Sequence, residues 1–111
     1  MPGALTQGAD STDAVGIKGI YMNPSVDALA VPSITDPDIA IVVADVSGNF
    51  SYAPAVGDAV IAIPNAALPT NCLQQGAWVS GADEISVSFG SQGGNVTGAN
   101  VNYSYLCFDL T

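Results

Sequence analysis

The chain has 111 residues, of which 49% are hydrophobic and only 10% are charged, so we expect one folded domain whose surface is polar mainly through uncharged side chains. Lys18 is the only lysine or arginine against ten acidic residues, and the net charge is -9. One lysine cannot form a basic patch, which argues against contacts with nucleic-acid phosphates and with anionic membrane surfaces. The composition therefore predicts an ordered protein with no nucleic-acid partner and no membrane partner.

The N-terminal third of the chain is rich in small residues, glycine and proline. Residues 1–13 show no hydrophobic period, and we predict that they form an arm. Residues 14–22 alternate weakly and are a candidate first strand, whereas two prolines in residues 23–33 predict an irregular connection with at most one helical turn. We therefore assign residues 1–35 to an N-terminal arm and connection, and residues 36–111 to the β-sandwich domain.

From Asp36 onward, short apolar segments alternate with turn residues. Hydrophobic runs between Gly, Pro, Asn and Asp predict strands at residues 39–46, 59–63, 77–81 (with a start as early as Cys72), 84–90 and 101–110. Short strands at this spacing, with no sustained helical period, predict an all-β fold. We expect a single antiparallel β-sandwich, jelly-roll-like, with an N-terminal arm.

Five residues are candidate anchors of the hydrophobic core. A single tryptophan in a small sandwich usually packs inside, so Trp78 is expected there; the alternative is an exposed sugar-stacking surface that Trp78 forms with the tyrosines. The alternating run at residues 84–90 and the aromatic-rich last strand supply the other candidates, which are Ile85, Val87, Phe89 and Phe108.

Cys72 and Cys107 are the only cysteines. Each lies in a strand-like run, so a cross-strand disulfide and two buried thiols both fit the sequence, because bridging depends on Cα positions that the sequence does not contain. A reducing compartment favours the thiols. Neither a CxxC pair nor a histidine accompanies them, which argues against a zinc site.

The residues that most catalytic centres need are missing. The chain has no histidine, which excludes Ser-His-Asp and Cys-His arrangements within one chain. Neighbouring acids such as Asp36 with Asp38, or Asp83 with Glu84, offer a carboxylate pair for catalysis, but such turn residues typically face solvent. Residues 10–13 and 36–38 approach a calcium-binding spacing without reaching the EF-hand pattern. We therefore predict that the protein is not an enzyme and has no catalytic residues, no cofactor and no metal.

The stretch VGDAVIAIPNAALP, residues 56–69, combines a Gly-Asp turn, an apolar strand ended by proline and a small-residue segment. A strand through Trp78 follows, then an acidic turn, the run ISVSF, a Gly/Asn-rich loop and an aromatic-rich last strand. From Pro54 to the C-terminus, this progression resembles the small β-sandwich proteins of tailed bacteriophages that decorate or cement the outside of the capsid.

The resemblance implies a non-enzymatic viral structural protein that binds the major capsid protein as a homotrimer and stabilises the capsid by burying surface across subunit joints. Residues 1–15 lack the basic and apolar regions of a signal peptide, which fits assembly in the host cytoplasm and a final location on the virion surface. The alternatives are a phage head-fibre or tail component and, from another class, a carbohydrate-binding or adhesion module.

Overall fold

The computed structural model describes residues 16–23, 27–48 and 50–111, and the arm predicted at residues 1–13 lies outside these ranges. Regular structure in the described residues consists of strands, which are β1 (Gly19–Met22), β2 (Asp27–Val31), β3 (Ile39–Asp45), β4 (Ala59–Pro64), β5 (Cys72–Gly81), β6 (Glu84–Ser91) and β7 (Ala99–Asp109). None of the described residues belongs to a helix with the length and hydropathy needed to cross a membrane.

The strands form two antiparallel sheets that pack face to face. In the four-stranded sheet, β4 pairs with one edge of the long strand β7, and β1 and β2 lie end to end along its other edge. In the three-stranded sheet, β6 lies between β3 and β5. The antiparallel β-sandwich predicted from the spacing of short strands is confirmed.

The core fills the space between the sheets, and strand alternation selects its members. The inward residues of the two central strands are at most 4% exposed, and they are Ile85, Val87 and Phe89 of β6 with Val101, Tyr103, Tyr105 and Cys107 of β7. Phe89 contacts Tyr103 edge to face, with ring centroids 6.3 Å apart, a favourable geometry for aromatic pairs. Three of the expected core anchors therefore lie where they were expected.

The other two expected anchors lie on outer faces. Phe108 is half-buried and points away from the opposite sheet, because its neighbour Cys107 takes the core position. Trp78 is 42% exposed; it pairs with Ser86, whose neighbour Ile85 points into the core. The prediction that Trp78 and Phe108 anchor the core is wrong, because the parity of a strand position decides its face whatever the size of the side chain.

The segment before Asp36 belongs to the sandwich. The region predicted as an irregular connection contains β2, which pairs with β7 over five residues, and Leu29 lies in the core. Ile34 and Val96 extend this pairing through two backbone hydrogen bonds of 3.0 and 2.8 Å. The domain boundary predicted between residues 35 and 36 therefore falls inside the folded unit. Neither proline of this segment falls within β2, so the ladder with β7 loses no donor.

Candidate functional site

The outer face of the three-stranded sheet carries a group of exposed apolar side chains, which we call the β3–β6–β5 face. The core takes the alternate residues of β3, including Ala40 and Val42, so the other set points to solvent. Strand β5 adds two side chains on the far side of β6. The apolar members of the face, exposed by 42% to 62%, are Ile39, Ile41, Val43, Leu73 and Trp78.

The strand register arranges these side chains in rows across the sheet. Val43, Ser86 and Trp78 form one row, and Ile41 and Ser88 lie in the next. Neighbouring strands are about 4.8 Å apart, so the aliphatic ridge of β3 and the indole lie roughly 10 Å from each other. The face is therefore a flat apolar strip whose centre consists of small residues.

The polar groups in the centre of the face bind each other. Ser86 Oγ donates to Ser80 Oγ at 2.8 Å, and Ser88 Oγ donates to Gln75 Oε1 at 3.3 Å. Ser86 is only 3% exposed although it is on an outer face, because Val43 and Trp78 flank it. An incoming molecule therefore meets mostly carbon, which suits a protein surface better than a sugar with many hydroxyls.

One end of the β3–β6–β5 face is acidic. Asp45, the last residue of β3, and Glu84, the first of β6, are direct partners in the register, and both are exposed. Ser47 donates to Asp45 Oδ1 from its hydroxyl and, at 2.9 Å, from its backbone N–H; these two bonds lower the pKa of Asp45. Two carboxyl groups thus border the apolar strip on this side.

A second cluster of polar groups joins the C-terminus to the turn before β4. Asp58 Oδ1 accepts from Leu110 N at 2.9 Å and from Thr111 Oγ1 at 3.1 Å. Its Oδ2 accepts from Ala55 N at 2.9 Å and from the Tyr52 hydroxyl at 2.7 Å. Burial raises the pKa of Asp58, but the hydrogen bonds outweigh it and hold the pKa below its usual range. This carboxylate is a structural clamp.

Tyr52 completes the clamp. Its hydroxyl also lies 2.9 Å from Asp109 Oδ1, and its ring stacks on Tyr21 with centroids 4.7 Å apart. The hydrogen bond with Thr111 lowers the pKa of Tyr52, but the carboxylates of Asp58 and Asp109, together with desolvation, outweigh it and raise the pKa to about 12. The hydroxyl therefore stays protonated at neutral pH and acts as a donor.

Cys72 on β5 and Cys107 on β7 are free and buried, so the disulfide alternative is not formed. Burial raises the pKa of Cys72, and burial with the nearby Asp58 and Asp109 raises the pKa of Cys107 to about 11. Because the thiolate is the reactive form of cysteine, both side chains pack as small apolar groups and do not form a reactive site.

The sugar-stacking surface considered for Trp78 and the tyrosines does not assemble. Tyr103 and Tyr105 are buried in the core, and Tyr21 stacks on Tyr52 at the end of the four-stranded sheet. Among the described residues, Trp78 is the one aromatic side chain on the β3–β6–β5 face. Within the same residues, no three His, Cys, Asp or Glu side chains converge as a group that could hold a metal ion.

Sequence reasoning missed the ridge of Ile39, Ile41 and Val43, and it missed the role of Asp58. A signal for the ridge was present, because both alternating sets of residues in 39–44 are apolar while a two-layer sandwich covers only one face of each strand. No comparable signal marked Asp58, because Gly-Asp is a common pair in exposed turns.

Comparisons of the chain with protein-family models, with curated proteins and with solved structures find no match. The strands themselves show that the protein is an antiparallel β-sandwich. Its candidate functional site is an exposed apolar sheet face with an acidic end.

Proposed function

We propose that this protein is a non-enzymatic viral structural protein that binds the outside of a bacteriophage capsid and stabilises it. The β3–β6–β5 face carries the proposal. The largest apolar patch on a soluble monomer often serves binding, and five large side chains about half exposed on one flat face form such a patch. A protein that acts by burying surface needs such a face and no catalytic group.

The rigidity of the face supports the same role. The outward side chains belong to strands whose inward residues form the core, for example Val42 beside Ile41. A face held by a packed core loses little conformational freedom when it docks, which favours affinity. Such a surface suits a subunit that clamps neighbours in a fixed geometry.

Homotrimeric assembly and a jelly-roll topology remain parts of this proposal. A standard stable interface buries roughly 800 Å² per partner, and five side chains on one face are few for an interface of that size. Three linked copies on a symmetric lattice convert the second and third contacts into intramolecular ones, and the overall affinity rises by orders of magnitude without any new contact.

A carbohydrate-binding or adhesion module is the second candidate, and the exposure of Trp78 favours it. Aromatic rings on flat sheet faces are suitable stacking surfaces. Against this, the hydroxyls next to the indole, Ser80 and Ser86, bind each other, and the far side of the same register row is the aliphatic Val43. The surroundings of Trp78 therefore favour a protein partner over a sugar.

The direct test of the proposal is the copy number on purified particles from the source. Quantitative mass spectrometry compares this chain with the major capsid protein, and we expect comparable numbers of copies. A handful of copies per particle would assign the protein to a head fibre or tail. Complete absence from the particles would overturn the virion role and make the carbohydrate-binding module the favoured function.

Trp78 provides a separate test of the carbohydrate alternative, because it is the only tryptophan in the chain. Its fluorescence is titrated with a panel of monosaccharides and oligosaccharides, with acrylamide quenching as the control for accessibility. We expect strong acrylamide quenching and no response to sugars. A saturable sugar response, with sugar binding measured by isothermal titration calorimetry that Trp78→Ala removes, would favour the carbohydrate module.

A further inference from the structure

We propose that the β3–β6–β5 face docks on a heterologous protein surface that has an apolar centre and basic side chains opposite Asp45 and Glu84. The inference rests on the proposed function, because it specifies the docking face and the chemistry of the capsid partner. It is carried by the combination of an uncharged apolar strip with a carboxylate pair at one end.

The carboxylate pair places two acidic side chains at one end of the β3–β6–β5 face. Asp45 and Glu84 are direct register partners on that face, and both are exposed. Lys18 is the only lysine or arginine in the chain, and its Nζ donates to the carbonyl of Thr111 near the end of the four-stranded sheet. A lysine or arginine that pairs with these carboxylates therefore comes from another molecule.

A second copy of the chain is a poor source of that cation. Each copy brings a net charge of -9 and a single lysine. A partner with lysines or arginines is instead attracted at long range by the whole acidic chain, and its cations then find the carboxylate pair at short range. The charge pattern therefore favours a different protein over self-association through this face.

The geometry of the face matches the anatomy of protein interfaces, which have an apolar centre and a polar rim. Successive outward residues of a strand are roughly 7 Å apart, so Asp45 and Glu84 border the row that contains Val43 and Trp78. Tryptophan is among the residues that most often dominate binding energy. Because Asp45 and Glu84 lie at one end of the face, the basic side chains of the partner would fix its orientation along β3.

The experiment measures binding of the full chain to shells of the major capsid protein from which this chain has been removed. The apolar test is Ile41→Thr, and its matched control is Ile61→Thr, because Ile61 is 50% exposed on the outer face of the other sheet. We expect Ile41→Thr to weaken binding about tenfold, the effect typical of a central interface residue. Ile61→Thr should bind like the wild type.

The charge test is the double variant D45N/E84Q, and its matched control D36N/D38N removes the same net charge just before β3 begins. We expect D45N/E84Q to weaken binding several-fold and to flatten its dependence on salt, because close ion pairs are screened by salt. The control should weaken binding less than D45N/E84Q and keep more of the salt dependence, because it removes only part of the long-range attraction. Thermal melts verify folding, and Val43→Thr replaces Ile41→Thr if that variant does not fold.

The outcomes separate the inference from the function on which it rests. If the wild-type chain, Ile41→Thr and D45N/E84Q all bind the shells equally well, the inference is overturned and capsid binding remains in place. Wild-type chain that does not bind the shells overturns the proposed function and the inference together. Analytical ultracentrifugation tests whether the free chain self-associates. If it does, and if Ile41→Thr abolishes this self-association, the face binds a second copy of the chain and the inference is overturned.

Discussion

Tyr103 and Gln74 join the two sheets of the sandwich through a hydrogen bond of 2.7 Å, in which the tyrosine hydroxyl donates to the amide oxygen. Gln74 Nε2 in turn donates to the carbonyl of Ala62 at 3.0 Å. One side chain of β5 is thus bound to two strands of the opposite sheet. Because hydrogen bonds are directional, this link fixes the alignment of the sheets in a way that apolar packing alone does not.

Loss of the Tyr103 hydroxyl should destabilise the protein by about 1–2 kcal/mol, because it leaves the Gln74 amide oxygen without its donor. The measurement is the free energy of unfolding of Tyr103→Phe in urea. In a double-mutant cycle with Gln74→Leu, the double variant should lose less stability than the sum of the single variants. Strict additivity would show that this bond contributes nothing.

The two expected anchors Phe89 and Phe108 should respond very differently to truncation. Phe89 is fully buried between the sheets, so Phe89→Ala should lower the free energy of unfolding by about 3–5 kcal/mol. Phe108 is half-buried on an outer face, so Phe108→Ala should lower it by about 1–2 kcal/mol, in proportion to the smaller area removed from water. Equal losses in chemical denaturation would contradict the assignment of the two faces.

Asp58 should make the protein sensitive to acid. Its folded-state pKa is lowered, so its contribution to stability is present above the unfolded pKa of about 3.9 and is lost as the pH falls through the folded value. Asp58→Asn should be less stable at pH 7 by about 1–3 kcal/mol, because buried donors lose a charged acceptor.

The acid dependence of stability distinguishes this role of Asp58 from a general effect of charge. Thermal melts between pH 7 and pH 2 should show a shallower loss of stability for Asp58→Asn than for the wild type. Asp38→Asn removes an exposed acid and should keep the wild-type slope. If the two variants have the same slope, the clamp at Asp58 does not depend on its charge.

The two thiols should be unreactive in the folded protein. Because burial raises the pKa of both groups, to about 11 for Cys107, labelling with a thiol reagent at pH 8 should be slow, and it should reach two thiols per chain after denaturation. Rapid labelling of the folded chain would contradict the burial. Denatured, unreduced protein with no titratable thiol would show that the disulfide forms.

Strand positions in the last two thirds of the chain could be predicted because their signals are local. The alternation of Ile85, Val87 and Phe89 with serines predicts a strand at residues 84–90, and β6 spans Glu84–Ser91. Period-two alternation needs only the geometry of an extended chain. The class of the fold follows from the number and spacing of such segments.

Strand β2 could not be predicted in the same way. The short segment Asp27–Val31 has little pattern of its own, and it becomes a strand because β7 offers a free edge over residues 99–103. The clamp at Asp58 is equally non-local, because two of its partners, Leu110 and Thr111, are brought to it by the pairing of β4 with β7.

The sequence by itself determined that this chain is an acidic, all-β protein without histidine, because composition and local alternation are properties of the residues alone. Only the tertiary structure decided which apolar residues are covered. Trp78, Ile41 and Val43 are as hydrophobic as many core residues, but a two-layer sandwich buries one face of each sheet and leaves the other in water. The exposed apolar face, on which the proposed function rests, follows from this two-layer arrangement.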